Sequence, residues 1–436
     1  MKRIVTAILS VLAISVGTLF AATPKIGGTS LKSYTIVYSA SAEAEVGAEA
    51  AEKLSKAIEA ATGTKLSVRD DSGKPSAKEI LVGETNRPAS KAAYSADFGP
   101  FEYKAVLKKG RLVLAAGGCW ALDKVGALAV EKIAEGKMNG SYREKGSVEG
   151  EYLFPRDNDI NLRILDDNVW DYSKQESPQI WKDAGLECTD DVRAPQFAQI
   201  VRAYMPDVMG FQEFSMHMRE YFNPLVAGYG YKEAFQVPEG KKNDTPVYYN
   251  ENTVELITSD YVLFTPKKWS NHNSKSYTWA LFRLKADGKQ FILLSTHLWW
   301  KSDKVMPGST QARAAQVRLI MAEVEGLKAK YNCPVFVVGD MNCWERSTPI
   351  KQFIKGGYEP CYKLATGITS TIRGHHVCGP KNVGCREKLY RPREEAIDHC
   401  LLYNGGNTGI RNFICETSAF SILLTDHCPN IIDAIL

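Results

Sequence analysis

Polar side chains that can carry chemistry follow several runs of Val, Ile, Leu and Phe in this sequence. In the segment VFVVGDMNCWE, residues 335–345, an apolar strand ends in Asp340 and Asn342. The same arrangement recurs at Asn168, Glu213, His297, Asp398, Asp426 and His427. Such groups are costly inside a core unless they are paired, so we expect them to converge on one cleft at the edges of the sheets.

This set of residues is rich in hard oxygen donors. Carboxylates and amides dominate it, and the cysteines and histidines lack the spacing of a zinc site. The donors favour Mg²⁺, with Mn²⁺ or Ca²⁺ as alternatives, over zinc or copper. A zinc hydrolase is therefore a disfavoured alternative.

Residues 151–436 alternate short apolar strands with long loops. Two helices stand out by their periodicity, over 194–205 and 309–331. A strand-rich region with two strong helices predicts stacked sheets that are covered by helices.

Residues 23–150 predict a smaller α/β domain with the order β-α-β-β-β-α. The region contains no histidine and no plausible cluster of ligands, so we expect a non-catalytic accessory role. Its segments AAEKLSKAIEAATGTKL and EILVGE resemble the small domain that precedes the catalytic domain in exported glycosidases of the hexosaminidase and α-glucuronidase types. The junction falls within residues 140–156, which carry glycines, charges and a proline.

The first 22 residues predict a signal peptide. Lys2 and Arg3 precede an apolar stretch over 4–20, and the small residues Ala21 and Ala22 follow it. We therefore expect an exported protein that is periplasmic, cell-surface or extracellular. An uncleaved N-terminal anchor is the alternative, disfavoured because Ser10, Ser15 and Gly17 interrupt the apolar stretch.

The charge of the larger region is nearly balanced. The whole chain has a formal net charge of +4, but residues 151–436 carry 33 Lys and Arg against 34 Asp and Glu. Proteins that hold duplex nucleic acid by many phosphate contacts usually have a basic excess. The balance therefore weighs mildly against that partner.

Ten cysteines in an exported chain suggest disulfide bonds. Cys378 and Cys385 bracket a loop with glycine and proline and are the one local pair that we predict.

Six segments in a fixed order resemble the motif set of the endonuclease/exonuclease/phosphatase superfamily. They are LDDNVWD, PDVMGFQEF, LLSTHLWW, VVGDMN, AIDHCLL and LLTDHCP, within residues 158–436. No single motif is decisive, but the ordered set is specific. The resemblance implies a four-layer α/β/β/α sandwich and a metal-dependent phosphoric ester hydrolase.

The resemblance also implies a metal site. Glu213 would be the principal ligand of a catalytic Mg²⁺ ion. Asn168 and Asp426 would complete or border that site.

It further implies the groups that act on the phosphate. Asp340 and Asn342 would position the attacking water and hold a phosphate oxygen. His427, oriented by Asp398, would contact the phosphate or act as a base, and His297 would lie near the scissile bond.

Two features depart from the common pattern. Asp166 and Asp167 precede Asn168, where they either add charge near the metal or, as we prefer, cap a turn. Aromatic residues follow the motifs, and we expect either substrate contact or buried packing for Trp299, Trp300 and Trp344.

The sequence thus predicts an exported Mg²⁺-dependent phosphodiesterase for a lipid headgroup, a sugar phosphate or another small diester. A secreted nuclease that acts on DNA or RNA is the alternative within the superfamily. A non-catalytic glycan- or surface-binding protein with the same fold is an alternative of another class. No obligate protein partner is evident from the sequence.

Overall fold

The computed structural model describes residues 24–40, 44–94, 101–151, 153–171, 177, 179, 182, 187–237, 242–269, 274–368, 393–416 and 424–436. The predicted signal peptide and the Cys378–Cys385 pair lie outside these residues. Among the described residues, the chain divides between Leu153 and Phe154 into two compact units. No helix within the described ranges is long and apolar enough to cross a membrane.

The first unit is a six-stranded sheet with helices. Its strands are β1 Lys25–Ile26, β2 Thr29–Ser30, β3 Thr35–Tyr38, β4 Ser67–Asp70, β5 Glu79–Val82, β6 Glu102–Lys108, β7 Arg111–Ala116 and β8 Arg143–Ser147. Its helices are α1 Ala44–Thr62, α2 Pro88–Lys91 and α3 Cys119–Ala134. The sheet has the order β4-β3-β5-β7-β6-β8, while β1 and β2 pair separately.

The predicted order of this unit is correct but incomplete. Besides the short elements β1, β2 and α2, the structure adds β4, parallel to β3, and β8, antiparallel to β6, to the sheet. Both additions lie at the edges of the sheet, where a short, half-exposed strand carries a weak apolar pattern.

The second unit holds the predicted site residues. Its strands are β9 Leu162–Asn168, β10 Val208–Gln212, β11 Tyr231–Glu233, β12 Val247–Asn250, β13 Val254–Leu263, β14 Ser276–Leu284, β15 Gln290–His297, β16 Val335–Asp340, β17 Glu359–Pro360, β18 Gly367–Ile368, β19 Asp398–Tyr403, β20 Gly409–Cys415 and β21 Asn430–Ile435. Its helices are α4 Asp190–Tyr204, α5 Met216–Ala227, α6 Ser309–Tyr331, α7 Thr348–Lys355 and α8 Cys361–Leu364.

Two sheets pack face to face in this unit. One has the order β11-β12-β10-β9-β21-β20-β18, and the other has the order β13-β14-β15-β16-β19-β17. A single apolar cluster joins their inner faces, with Ile164 and Ile432 from the first sheet and Leu293, Phe336 and Leu402 from the second. Alternate residues of each strand supply this core, as the period of a β-strand requires.

Helices cover the outer faces of both sheets. Phe222 of α5 packs at 5.7 Å, centroid to centroid, from Phe211 of β10. Val317 of α6 and Ile350 of α7 join the cluster formed by the outer face of the second sheet. The predicted α/β/β/α layers are therefore confirmed.

The two sheets approach closely beside the predicted site. A Cβ atom on Gly210 of β10 would lie only 2.7 Å from Val338 Cγ2 of β16. Next to this contact, the Gln212 Nε2 donates to Ser295 Oγ at 3.1 Å across the sheet interface. A glycine and short polar links thus set the spacing of the strands that end in site residues.

Seven cysteines of the described chain are buried. They are Cys188, Cys333, Cys343, Cys361, Cys400, Cys415 and Cys428. These residues act as small apolar side chains, and several belong to the cores of the second unit.

Arg193 of α4 ties together two chain segments that flank the site. Its guanidinium, 1% exposed, donates from Nη1 to Val169 O at 2.5 Å and to Leu424 O at 3.1 Å. Its Nη2 donates to Trp170 O at 3.0 Å and to Asp190 Oδ1 at 2.6 Å. This one side chain therefore joins the exit of β9 to the segment just before Asp426.

We expect Gly339→Ala to destabilise the second unit by about 3 kcal/mol or more. Gly339 has φ +138, and a Cβ atom there would meet Thr296 O at 2.0 Å. Gly409→Ala is the control, because its Cβ would meet nothing within 4 Å. Chemical denaturation of both variants makes the comparison, and equal stability would contradict the predicted clash.

We expect Arg193→Met to lower the free energy of unfolding by roughly 3–5 kcal/mol, because it leaves the Asp190 carboxylate and three carbonyl groups buried with fewer donors. Arg202→Met on the same helix removes a half-buried arginine that stacks on Tyr229, and should cost about 1 kcal/mol or less. Equilibrium denaturation of the two variants, with unchanged m-values, tests the difference. A similar cost for both would show that Arg193 has no special role.

Candidate active site

The predicted polar residues meet where three neighbouring strands of the second sheet and two strands of the first sheet come to their ends. His297, Asp340 and Asp398 lie side by side in register on β15, β16 and β19. From the facing sheet, Asn168 ends β9 and its Nδ2 donates to Asp340 Oδ2 at 3.0 Å. This hydrogen bond joins the two sheets at the site.

Glu213 follows β10 directly, and its carboxylate is partly accessible. Its backbone has φ +55, and its side chain is 29% exposed. The Asp171 N–H donates to Oε2 at 3.0 Å, while Oε1 lies 3.7 Å from His297 Nε2. Asn168 Nδ2 is 3.5 Å from the same Oε1 atom. Glu213 is thus oriented and still open to a ligand.

Asp340 is buried and surrounded by donors. Its Oδ1 accepts from Asn342 N at 2.9 Å, and its Oδ2 lies 3.3 Å from His297 Nε2 and 3.9 Å from His427 Nε2. Burial by itself would raise the pKa of Asp340, but the hydrogen bond and charge of His297, with the charges of His427 and Lys275, hold it well below its usual value. Asp340 is therefore a carboxylate at neutral pH.

His427 and Asp398 form a buried dyad. His427 Nδ1 lies 2.9 Å from Asp398 Oδ1 and 3.0 Å from Oδ2. Burial disfavours the imidazolium ion, but the charges of Asp398 and Asp426 outweigh it and raise the pKa of His427 well above its usual value. The ring therefore directs a charged Nε2 toward Asp340 and Asp426, at 3.9 and 3.8 Å.

Asn342 and Asp426 lie beside these groups, Asn342 through its N–H bond to Asp340 and Asp426 at 3.8 Å from His427 Nε2. Asn342 has φ +50, and its Nδ2 donates to Leu298 O at 3.2 Å, which fixes the side chain beside the loop after β15. The Asp426 side chain is 28% exposed.

Lys275 is a site residue that the sequence reasoning missed. It is 2% exposed, and its Nζ contacts both ring nitrogens of His297, with 3.0 Å to Nδ1. Burial lowers the pKa of Lys275, while the charges of Glu213 and Asp340 oppose that shift. Burial, and then the nearby ammonium group, lower the pKa of His297. A basic residue just before a strand is too common to have signalled this role.

Asp166 and Asp167 do not cap a turn, and that prediction is wrong. Both lie within β9, buried, and their side chains point to opposite faces of the sheet. Burial, then the charge of Asp398, raise the pKa of Asp166 to about 8, and its Oδ1 accepts from Gln212 Nε2 at 3.0 Å. Burial likewise raises the pKa of Asp167. Both therefore favour the neutral acid rather than added charge beside a metal.

The three tryptophans occupy different environments. Trp299 is 3% exposed, and its Nε1 donates to Ser309 Oγ at 3.1 Å, an arrangement that favours packing. Trp300 and Trp344 are 50% and 40% exposed. Only these two are open to a substrate or a surface.

Two groups of side chains in the described chain have the geometry of a metal site. They are Glu213 with His297 and Asp340, and Asp340 with Asp398 and His427, and within each group the candidate ligand atoms lie within 4.8 Å of one another. The first group fits a divalent cation better, because it includes the accessible Glu213, whereas the second already contains an internal salt bridge. In this structure Asn168 directs its amide nitrogen, not its oxygen, toward the carboxylates, so it borders this group.

Comparison with solved structures shows the fold. A mannosyl-6-phosphatase of Bacteroides thetaiotaomicron is 17% identical with a TM-score of 0.50, over 63% of this chain and 100% of that chain. An endonuclease/exonuclease/phosphatase of Bacteroides vulgatus is 19% identical with a TM-score of 0.49, over 63% and 98%. The human nocturnin catalytic domain is 17% identical with a TM-score of 0.45, over 63% and 93%.

Comparison of sequences gives the family. No curated protein matches this chain. The profile of the Endonuclease/Exonuclease/phosphatase family matches residues 188–409, just over half of the chain, and includes Glu213, His297, Asp340, Asn342 and Asp398. The chain therefore belongs to the endonuclease/exonuclease/phosphatase family, whose members are metal-dependent hydrolases of phosphoesters.

Proposed function

We propose that this phosphoesterase is an exported, Mg²⁺-dependent phosphodiesterase that acts on a lipid headgroup, a sugar phosphate or another small diester. The observation that carries the proposal is the placement of Glu213, Asp340 and His427 around one cleft, each held by a buried partner. The apolar stretch over residues 4–20 supports export.

The charge of the cleft favours a diester over a monoester. The carboxylates of Glu213, Asp340, Asp398 and Asp426 face two cationic groups, Lys275 and His427. One divalent cation would bring this set close to neutrality. Because no surplus positive charge is then left to hold a second negative charge, the set suits a diester, which carries one, better than a monoester, which carries up to two.

In this proposal, Glu213 is the principal ligand of the cation, with Asn168 and Asp426 at its border. A bound Mg²⁺ ion would neutralise charge that develops on a phosphate or leaving oxygen. Carboxylate oxygens and an octahedral preference suit Mg²⁺, and Mn²⁺ would fit the same donors.

The other residues have defined tasks toward the phosphate. Asp340 accepts a hydrogen bond from the attacking water and so orients it, since its low pKa makes it a poor final proton acceptor. Asn342 donates to a phosphate oxygen without adding repulsion. His427, charged and oriented by Asp398, donates a proton to the leaving oxygen, and the proton that the attacking water releases restores the charged ring afterwards.

Two further groups support this arrangement. Burial and Lys275 lower the pKa of His297, and its Nε2, 3.3 Å from Asp340 Oδ2, orients that carboxylate. The buried ammonium group of Lys275 adds positive charge beside the carboxylates. Lys275 therefore attracts the anionic substrate toward the reacting position.

The alternatives are weaker. A nuclease would be expected to show a basic excess, and residues 151–436 have none. A binding protein without activity would not need the complete and mutually oriented set of acid, base and ligand groups. The Bacteroides thetaiotaomicron structure is that of a mannosyl-6-phosphatase, so sugar monoesters belong in any test.

A substrate panel tests the proposed reaction. With Mg²⁺, we expect turnover of bis-nitrophenyl phosphate and phospholipid diesters above that of mannose 6-phosphate, duplex DNA or RNA. Asp340→Ala and His427→Ala should each lower kcat by roughly 10²–10⁴-fold. His217→Ala, a half-buried histidine outside the site, is the control and should keep full activity. Vigorous DNA cleavage, or full activity of both site variants, would refute the proposal.

Metal binding is a separate test. We expect calorimetry to detect one class of Mg²⁺ sites in the wild-type protein and none at millimolar metal in Glu213→Gln, because the amide loses a charged ligand. Glu220→Gln, an exposed position on α5, should bind as the wild type does. Equal binding by Glu213→Gln would place the cation elsewhere.

A further inference from the structure

An exposed apolar and basic rim follows the strand ends that carry the chemistry. The rim comprises the loop 298–308 after β15, the loop 341–347 after β16 and the segment 267–269. Trp300 lies three residues after His297, and Trp344 lies two residues after Asn342. We call this surface the tryptophan rim.

The rim exposes large apolar side chains at loop positions. Val305 is 71% exposed, the highest exposed fraction among the large apolar side chains of the described residues. Trp300 is 50% exposed. Trp344 is 40% exposed in the neighbouring loop. Large apolar side chains that are exposed together on adjoining loops are typical of an interaction surface, whereas single exposed ones are common on any protein.

Buried contacts hold the loops of the rim in place. Arg313 of α6 donates from Nη1 to Trp299 O at 3.0 Å and to Lys301 O at 2.8 Å. The Trp269 ring lies edge-on to Trp299, with 5.1 Å between their centroids. Asn342 Nδ2 links the second loop to Leu298 O. The exposed side chains are therefore presented by an organised surface.

Basic side chains surround these apolar groups. Lys301 Nζ lies 5.2 Å from the centroid of Trp300, and Arg346 Cζ lies 4.7 Å from that of Trp344. Lys268 stacks on Trp269 at 4.7 Å, and Lys304 is exposed beside Val305. The rim thus has four cationic groups beside its apolar side chains.

The two acidic side chains of the rim already have partners within the protein. Asp303 accepts from the Gly308 and Thr310 N–H groups at 3.1 Å each. Glu345 is paired with Lys363 and accepts from Tyr362 Oη at 2.6 Å. The rim therefore favours an anionic partner, although residues 151–436 as a whole are nearly neutral.

We propose that the tryptophan rim docks the cleft on the surface of an anionic phospholipid membrane. Tryptophan and lysine side chains are favourable at the headgroup region of a membrane. An exposed aliphatic side chain such as that of Val305 is stabilised when it leaves water for the acyl chains. A nucleic acid would use the tryptophans for stacking but gains nothing from Val305. This inference rests on the proposed function in one respect, the lipid headgroup substrate that would give docking its purpose. Docking itself needs no turnover.

Vesicle sedimentation tests the docking. The full-length protein should bind phosphatidylcholine vesicles that contain phosphatidylglycerol, and bind pure phosphatidylcholine at least tenfold more weakly. Trp300→Ala with Val305→Ser should lower binding at least tenfold. Lys301→Gln with Lys304→Gln should lower it by about 25-fold, roughly fivefold for each charge near the surface. Leu319→Ser, on the exposed face of α6, is the matched control and should bind as the wild type does.

The outcomes separate the rim from the reaction. His427→Ala, assayed without metal, should still bind vesicles, because docking does not depend on the reaction. If the substrate panel fails while the protein still binds vesicles, the proposed function is refuted and the docking proposal stands. Docking is overturned by equal binding of the Trp300/Val305 variant and the wild type. It is also overturned if the wild type binds a single-stranded oligonucleotide but no vesicle, or neither.

Discussion

The buried carboxylate of Asp340 is the constraint on which the site depends. A charge in this position is costly unless several donors surround it, and the structure provides the amide of Asn168, the backbone of Asn342 and the rings of His297 and His427. These groups come from both sheets and from the last segment of the chain. Stabilising one charge therefore fixes the relative positions of the elements that form the cleft.

The same constraint divides the cleft into two functional sides. On one side, Glu213 is oriented by Asn168 and remains open to a cation. On the other side, His427 is charged because Asp398 and Asp426 oppose the penalty of burial. Asp340 lies between them, and its low pKa keeps it available to orient water. In the reaction that we propose, the cation, the oriented water and the acid would thus act on one phosphorus atom without any covalent chemistry by the protein.

The sequence predicted this cleft because strand ends are recognisable. The search for polar residues after apolar runs gave all eight residues for which we propose metal or phosphate roles, and the register of β15, β16 and β19 places three of them side by side. The helix over 309–331 agrees with α6. These features depend on local pattern, which a single sequence contains.

Features that depend on partners distant in sequence were not predictable. Lys275 and Arg193 gain their roles from His297 and from Val169, Trp170 and Leu424, which no local pattern reveals.

The prediction of some helices and strands failed for related reasons. Helix α5 contains Pro224, and β20 has a mixed burial pattern, so both lacked a clear period.

A double-mutant cycle of Glu213→Gln and His427→Ala on kcat tests most directly whether the two sides act on one phosphorus atom. Residues that act as a unit show strongly non-additive losses. The account predicts that the double variant is only slightly slower than the slower of the two single variants. A loss in the double variant equal to the product of the two single losses would contradict it.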